Sequence, residues 1–173
     1  MSHDHDAPAL RPYLPDDAAL LAAIFRASIE ELAADDYSEA QREAWIETAD
    51  DEGAFATRLA GQLTLVGLLA GSPAGFISLK GNDHIDMLFV HPAAAGKGVA
   101  SVLCDAAEKL AAARGASRLT VDASDTARDF FVKRGYSADR RNMVPLGDEW
   151  LGNTSMHKSL TATSAPSPKS RLQ

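Results

Sequence analysis

Asp86-Met87-Leu88-Phe89-Val90-His91-Pro92-Ala93-Ala94-Ala95-Gly96-Lys97-Gly98-Val99-Ala100-Ser101 reads as a short apolar strand, a glycine turn and the start of a long amphipathic helix. The first four N–H groups of a helix have no partner within it, and the helix dipole adds partial positive charge at the same end. A glycine turn in front of such an end lets an anion approach the backbone closely, because no Cβ stands in the way. The stretch Gly96–Ser101 is therefore expected to hold the phosphates of a cofactor.

Spacing separates the phosphate-binding motifs. A P-loop needs Gly-Lys followed by Ser or Thr, whereas Lys97 is followed by Gly98 and Val99. The dinucleotide fingerprint needs a third glycine where this chain has Ser101. Ala95-Gly96-Lys97-Gly98-Val99-Ala100 instead resembles the Arg/Gln-x-x-Gly-x-Gly/Ala motif of the GNAT (GCN5-related) N-acetyltransferases, and Leu88–Pro92 resembles the end of that family's fourth strand. The Arg or Gln position is occupied by Ala95, which offers only its backbone N–H.

The resemblance continues along the chain. Ser124-Asp125-Thr126-Ala127 stands where the family has Asn-x-x-Ala. Phe130-Phe131-Val132-Lys133-Arg134-Gly135-Tyr136 is similar to its Phe-Tyr-x-Lys-x-Gly-Phe segment. Leu10-Arg11-Pro12 with Asp16 resembles the opening strand and helix, and Leu151–Lys158 the closing strand. Tyr37-Ser38, Gln41 and Ala44-Trp45 resemble a bacterial subgroup. The likeness spans roughly residues 8 to 160, which sets the expected domain; residues 1–7 and 161–173 read as tails, the latter rich in Thr, Ser, Ala and Pro.

Composition narrows the class. A chain of 173 residues, 46% hydrophobic and 24% charged, suits one soluble domain. No apolar run approaches the ~20 residues of a membrane span, and the N-terminus lacks a secretory pattern. Cys104 is the single cysteine, so an internal disulfide is excluded and a cytoplasmic location is expected. A net charge of −7 argues against sequence-independent nucleic-acid binding and is compatible with a cationic acceptor. The same balance suits an RNA-acetylating toxin poorly.

Periodicity gives the elements. Asp16 is expected to cap a helix reaching about Ala34, and Ser38 with Gln41 forms a capping-box pair opening a second helix. A third short helix is expected around Gly53–Leu59. Leu63–Leu69 and Ala74–Leu79 read as a hairpin turning at Gly71-Ser72-Pro73, followed by strand His84–Val90. Helix Val99–Arg114 ends at Gly115; strand Arg118–Val121, helix Thr126–Arg134 and strands Tyr136–Val144 and Glu149–Leu160 follow. The expected fold is α/β, with a mixed central sheet of about six to seven strands flanked by helices.

The resemblance implies acetyl-CoA as co-substrate, lodged between the fourth and fifth strands. Its pantetheine would lie along Leu88, Phe89 and Val90, and its diphosphate on Ala95, Gly96, Lys97, Gly98, Val99, Ala100 and Ser101. The implied reaction is direct attack by a primary amine of a small molecule or peptide. An amine of pKa about 10.4 must lose its proton near neutrality, so a base is needed. His84 and Asp86 share one strand face by period 2 and are the candidates; the alternatives are a strand-edge histidine and an aspartate that caps a turn or pairs with a neighbouring cation.

Phe131 replaces the tyrosine that serves as the acid in many relatives, so it can only pack against pantetheine or thioester. Tyr136 is a replacement acid or a core tyrosine. Ser124 either bonds pantetheine or caps a helix. Tyr37 and Trp45 either line the amine site or belong to the core. Cys104 reads as core. No metal is expected, His3 and His5 included, and a monomer or homodimer fits equally. The alternative of a different class is a non-catalytic acyl-CoA-binding or sensing module.

Overall fold

The computed structural model describes residues 7–160. Both expected tails, His3 and His5 included, otherwise lie outside the described residues. One seven-stranded sheet runs through the molecule in the order β1-β2-β3-β4-β5-β7-β6. The strands are β1 (Ala9–Pro12), β2 (Leu63–Leu69), β3 (Ser72–Lys80), β4 (His84–Val90), β5 (Arg118–Ser124), β6 (Ser137–Leu146) and β7 (Glu149–Ser159). Neighbours are antiparallel except β4 and β5, which run parallel. Helices α1 (Ala18–Ala27), α2 (Glu39–Ile46) and α3 (Glu52–Ala60) precede β2, whereas α4 (Val99–Ala113) follows β4 and α5 (Arg128–Lys133) follows β5. The mixed sheet flanked by helices is the fold expected from the sequence.

Two apolar clusters sandwich the sheet. Leu21, Ile24 and Phe25 of α1 pack with Phe55 and Leu59 of α3 on Val66, Phe76 and Met87. On the opposite face Val99, Leu103, Cys104 and Ala107 of α4 pack on Ile77, Ile85, Leu119 and Val121. No described helix is long and apolar enough to cross a membrane.

Several local expectations need correction. Asp16 is exposed, and the N-terminal turn is instead held by Asp17, whose carboxylate accepts the Leu14 N–H at 2.8 Å and both terminal nitrogens of Arg11. The first helix does not run uniformly to Ala34: after Ala27 it widens into a π-helical turn over Ser28–Leu32. The hairpin turns at Ala70-Gly71, both with positive φ, and Ser72 already pairs with Leu69. Two positive-φ residues give the turn whose twist matches a two-residue hairpin; Pro73 sits instead beside an irregularity of the ladder, where its missing N–H is tolerated. The capping box of α2 is present as expected, with Ser38 and Gln41 exchanging bonds of 3.1 and 2.8 Å.

The seat of α4 is set by two glycines. Gly67 of β2 and Gly75 of β3 are cross-strand partners and leave a flat patch under Val99, the first residue of α4. A Cβ on Gly75 would stand 2.8 Å from the Phe89 carbonyl oxygen and 3.1 Å from Val99 Cγ1, so neither β4 nor α4 could keep its place. Gly75→Ala is expected to cost about 1–3 kcal/mol of unfolding free energy in chemical denaturation, the range for overpacking. Unchanged stability would mean that the helix is not seated through this contact.

Candidate active site

The site begins with a break in the sheet. β4 and β5 pair at only two positions, His84 with Thr120 and Ile85 with Val121, while β5 continues to pair with β7 as far as Ser124. Against β3, Ile85 pairs with Leu79 and Met87 with Ser78, so Asp86 is an extra residue in a bulge. A bulge bends its strand and increases local twist. It also changes face parity: Ile85 packs in the α4 cluster, but Met87 packs in the α1–α3 cluster. Beyond Asp86 the edge of β4 that faces β5 has lost its partner. The His91 N–H bonds Ala74 on β3, so by alternation the amides of Leu88 and Val90 point into the gap.

Two cavities meet at this gap. The larger, about 620 Å³, is lined by Leu88, Phe89, Val90, Ala95, Gly96, Gly98, Val99, Ala100, Ser101 and Ser124. Lys97 is exposed and outside the lining. Ile29 and Leu32 of the π-helical turn and Phe130 of α5 complete its walls. Gly96 and Gly98 take φ of 77° and 86°, and no protein atom lies within 4 Å of where a Gly96 Cβ would stand. Among the described residues, the amides of Gly98, Val99, Ala100 and Ser101 have no backbone acceptor, so they form a cradle open to an anion. This arrangement fits a diphosphate.

The second cavity, about 460 Å³, lies on the other side of the gap. Trp45, Leu88, Phe89, Ser124 and Ala127 border both. His84 and Asp86 line it together, joined by Arg58 and Asp122, which the sequence reading missed. Asp122 was within reach of period-2 reasoning, since it lies two residues beyond the His84 partner Thr120; Arg58, on another helix, had no such signal.

Asp86 is held by its neighbours. Its Oδ2 accepts Arg58 Nε at 2.8 Å and Gln62 Nε2 at 2.9 Å. Burial alone would raise its pKa, but the bonds from Arg58 and Gln62, with the charges of Arg58 and His84, outweigh burial and keep the carboxyl below its ordinary range. It is an anion at neutral pH and a weak base. His84 Nδ1 lies 2.7 Å from the Thr120 hydroxyl, which itself lies 3.1 Å from the Asp83 carbonyl oxygen. His84 Nε2 is 3.9 Å from Asp122 Oδ2, and Asp122 Oδ1 accepts the Ser155 hydroxyl at 2.7 Å.

The aromatic residues divide by environment. Tyr37 is buried; its hydroxyl donates to the Gly152 carbonyl at 2.6 Å and accepts the Asp125 N–H at 2.8 Å, so it ties the α1–α2 connection to β5 and β7 while bordering the second cavity. Burial pushes its pKa up. Trp45 stands edge-on to both Tyr37 and Phe89. Phe131 is buried and borders the second cavity, while its neighbour Phe130 borders the first. Ser124 caps the following turn by accepting the Ala127 N–H at 3.1 Å. Tyr136 touches neither cavity: it is buried, donates to Glu108 at 2.9 Å, and has its pKa raised by burial and by the Glu108 charge. Cys104 is fully buried, and burial pushes its thiol up to about 12, as suits a core residue. Among the described residues no His, Cys, Asp and Glu cluster is placed to hold a metal.

A family model described as Acetyltransferase (GNAT) domain matches residues 33–160. The chain belongs to the GNAT acetyltransferase family. It is 36% identical over 144 residues to the uncharacterized N-acetyltransferase YafP of Escherichia coli strain K12, covering 83% of this chain and 91% of YafP. A GCN5-related N-acetyltransferase from Rhodopseudomonas palustris superposes with a TM-score of 0.88 at 66% identity, covering 89% of this chain and 96% of that one. The PaiA N-acetyltransferase of Thermoplasma acidophilum, crystallised with coenzyme A, superposes with a TM-score of 0.74 at 19% identity, covering 88% and 99%. At that identity the likeness speaks for the fold. The family match includes every residue that lines the gap from β4 onward, and leaves β1 and α1 outside it.

The charge state of Asp86 within this GNAT site is open to a direct check. Its lowered pKa means that its contribution to stability is fully present above the ordinary aspartate value of about 3.9 and is lost as pH falls through its lower folded value. Arg58→Met removes the chief opposing partner and leaves burial to act. The Asp86 carboxyl, followed by ¹³C NMR, is expected to titrate higher in the variant. Arg58 is 38% exposed, so solvent screening limits the expected loss near neutral pH to about 1–2 kcal/mol. That loss should shrink as the carboxyl protonates in acid. An unmoved Asp86 titration would contradict the pairing.

Proposed function

We propose that this GNAT protein transfers the acetyl group of acetyl-CoA to the primary amine of a small molecule or peptide, by direct attack in a ternary complex. The observation that supports the reading best is the meeting of two cavities at the β4–β5 gap. One carries an anion cradle, and the other carries a fixed carboxylate and a histidine. Acetyl-CoA, when bound, supplies an acetyl thioester. Gly96 and Gly98 through Ser101 would hold its phosphates through backbone N–H groups, the Lys97 N–H being taken by the Ala94 carbonyl at 3.3 Å, and the free edge of Leu88–Val90 its pantetheine. Ala95 only lines the cavity, because the backbone N–H expected to meet the diphosphate already donates to the Pro92 carbonyl at 3.2 Å, and Lys97 adds charge at the rim.

On the other side Asp86, ionised and pinned through one oxygen, keeps Oδ1 for the acceptor's ammonium. His84 takes a proton from that ammonium, whose electron pair stays on nitrogen. The nitrogen then bonds to the acetyl carbon as the carbon–sulfur bond breaks, the sulfur leaves with its pair, and the acylated nitrogen releases its remaining surplus proton to water. Phe131 has no proton to give, and among the described residues neither Tyr37 nor Tyr136 presents a free hydroxyl at the gap. The leaving sulfur is therefore protonated from water. Trp45 and Tyr37, with Phe89, offer an apolar aromatic wall for the acceptor's body. The single buried Cys104 suits a cytoplasmic enzyme, and either a monomer or a homodimer accommodates this site.

Thiol release from acetyl-CoA across a panel of amines is the test. Turnover with at least one primary amine is expected. Saturable acetyl-CoA binding without turnover for any acceptor would favour a non-catalytic sensing module instead. Gly98→Glu adds a carboxylate, and a Cβ at φ 86°, where the cradle faces the phosphates. It is expected to abolish acetyl-CoA binding in calorimetry while leaving the far-UV circular dichroism unchanged. Retained affinity would place the phosphates elsewhere.

A further inference from the structure

We propose that Thr120 is a positioning residue for His84: its hydroxyl accepts the imidazole Nδ1–H, fixes the neutral tautomer, and leaves the Nε2 lone pair free to take the acceptor's proton. This rests on the reading of His84 as the base. Thr120 and His84 are cross-strand partners in the last stretch where β4 and β5 still pair, so the backbone holds the two side chains in register. A threonine hydroxyl has one proton to donate. Here it has two neighbours, His84 Nδ1 at 2.7 Å and the Asp83 carbonyl oxygen at 3.1 Å. The carbonyl can only accept. Given to Asp83, the hydroxyl proton completes that oxygen's second bond, the first coming from the Thr120 N–H at 2.9 Å. The Thr120 oxygen is then an acceptor for the histidine, and Nδ1 must carry the hydrogen.

The consequence lies on the other ring nitrogen. In a neutral imidazole only one nitrogen is protonated, so Nε2 becomes the base, on the side of Asp122. When Nε2 gains a proton, Asp122 at 3.9 Å faces the new positive charge, and the Ser155 hydroxyl holds that carboxylate in place. The titratable and charged groups on this face are Asp122 on β5, Asp86 on β4, Arg58 on α3 beyond Asp86, Lys80 opposite His84 on β3, and His157 opposite Thr120 on β7, itself paired with Asp139 at 2.9 Å. Without the Thr120 oxygen, the ring would place its hydrogen on Nε2, toward the Asp122 carboxylate, and the nitrogen on the cavity side would no longer accept.

Long-range ¹H–¹⁵N correlation spectra of the ¹⁵N-labelled protein read the tautomer without reference to activity. The neutral wild-type ring should show Nδ1 protonated and Nε2 bare, and Thr120→Val, which keeps the β-branched shape, should shift population to the Nε2–H form. In thiol-release kinetics Thr120→Val should lower kcat roughly tenfold or more while KM for acetyl-CoA stays within about twofold, and should displace the ascending limb of the pH–rate profile. Thr120→Ser, which restores the oxygen, should recover both. A wild-type spectrum showing the Nε2–H form overturns the proposal, as does a Thr120→Val enzyme with normal kcat. Should the Nδ1–H form be present but His84→Gln keep turnover within about threefold, the base reading fails and the catalytic role of Thr120 with it, while the tautomer assignment survives.

Discussion

One residue too many on β4 organises this molecule. Asp86 has no partner on β3, and the bulge that absorbs it comes one position after the last pair between β4 and β5. Before it, β4 is an ordinary strand in a continuous sheet. After it, the strand bends away, its two faces exchange parity, and a row of backbone donors and acceptors is left without a neighbour. An unpaired edge inside a protein is normally a liability. Here it opens onto two cavities, so the groups that lose a strand gain access to a ligand. The same extra residue aims a carboxylate at Arg58 of α3 and at Gln62 in the turn that follows, which together hold it.

The second constraint is the seating of α4. A helix N-terminus attracts anions only where its amides are uncovered and its position is fixed. Gly67 and Gly75 let the first turn of α4 lie directly on β2 and β3, with Val99 as the contact. Gly96 and Gly98 then supply the left-handed turns that bring the chain from β4 into the helix without a side chain in the cradle. Four glycines in two strands and one loop therefore accomplish a single task. The chemistry is carried by different elements: β4 and β5 bring His84, Asp86 and Asp122 together, and α3 sets the charge state of Asp86.

Much of this was legible in the sequence because it is local. The glycine turn, the amphipathic helix behind it and the capping box at Ser38 each lie within a few residues, and all three are present. What was not legible depends on partners distant in sequence. The bulge at Asp86 exists only relative to β3. Arg58 meets Asp86 across 28 residues, and Thr120 meets His84 across 36. The Ala70-Gly71 turn was obscured by Pro73, a strong turn residue that here tolerates a strand irregularity instead. The adjacent phenylalanines Phe130 and Phe131 look interchangeable in sequence, yet one borders each cavity, because a short helix points successive side chains in different directions.

The central claim is that the free edge of β4 and the first turn of α4 together receive acetyl-CoA. Amide hydrogen exchange measured residue by residue, with and without saturating acetyl-CoA, tests it most directly. Binding should slow exchange at Leu88 and Val90 and at Gly98 through Ser101, while Phe89, already facing β3, changes little. Protection confined to another surface, or none at Leu88 and Val90 despite saturation, would contradict the account.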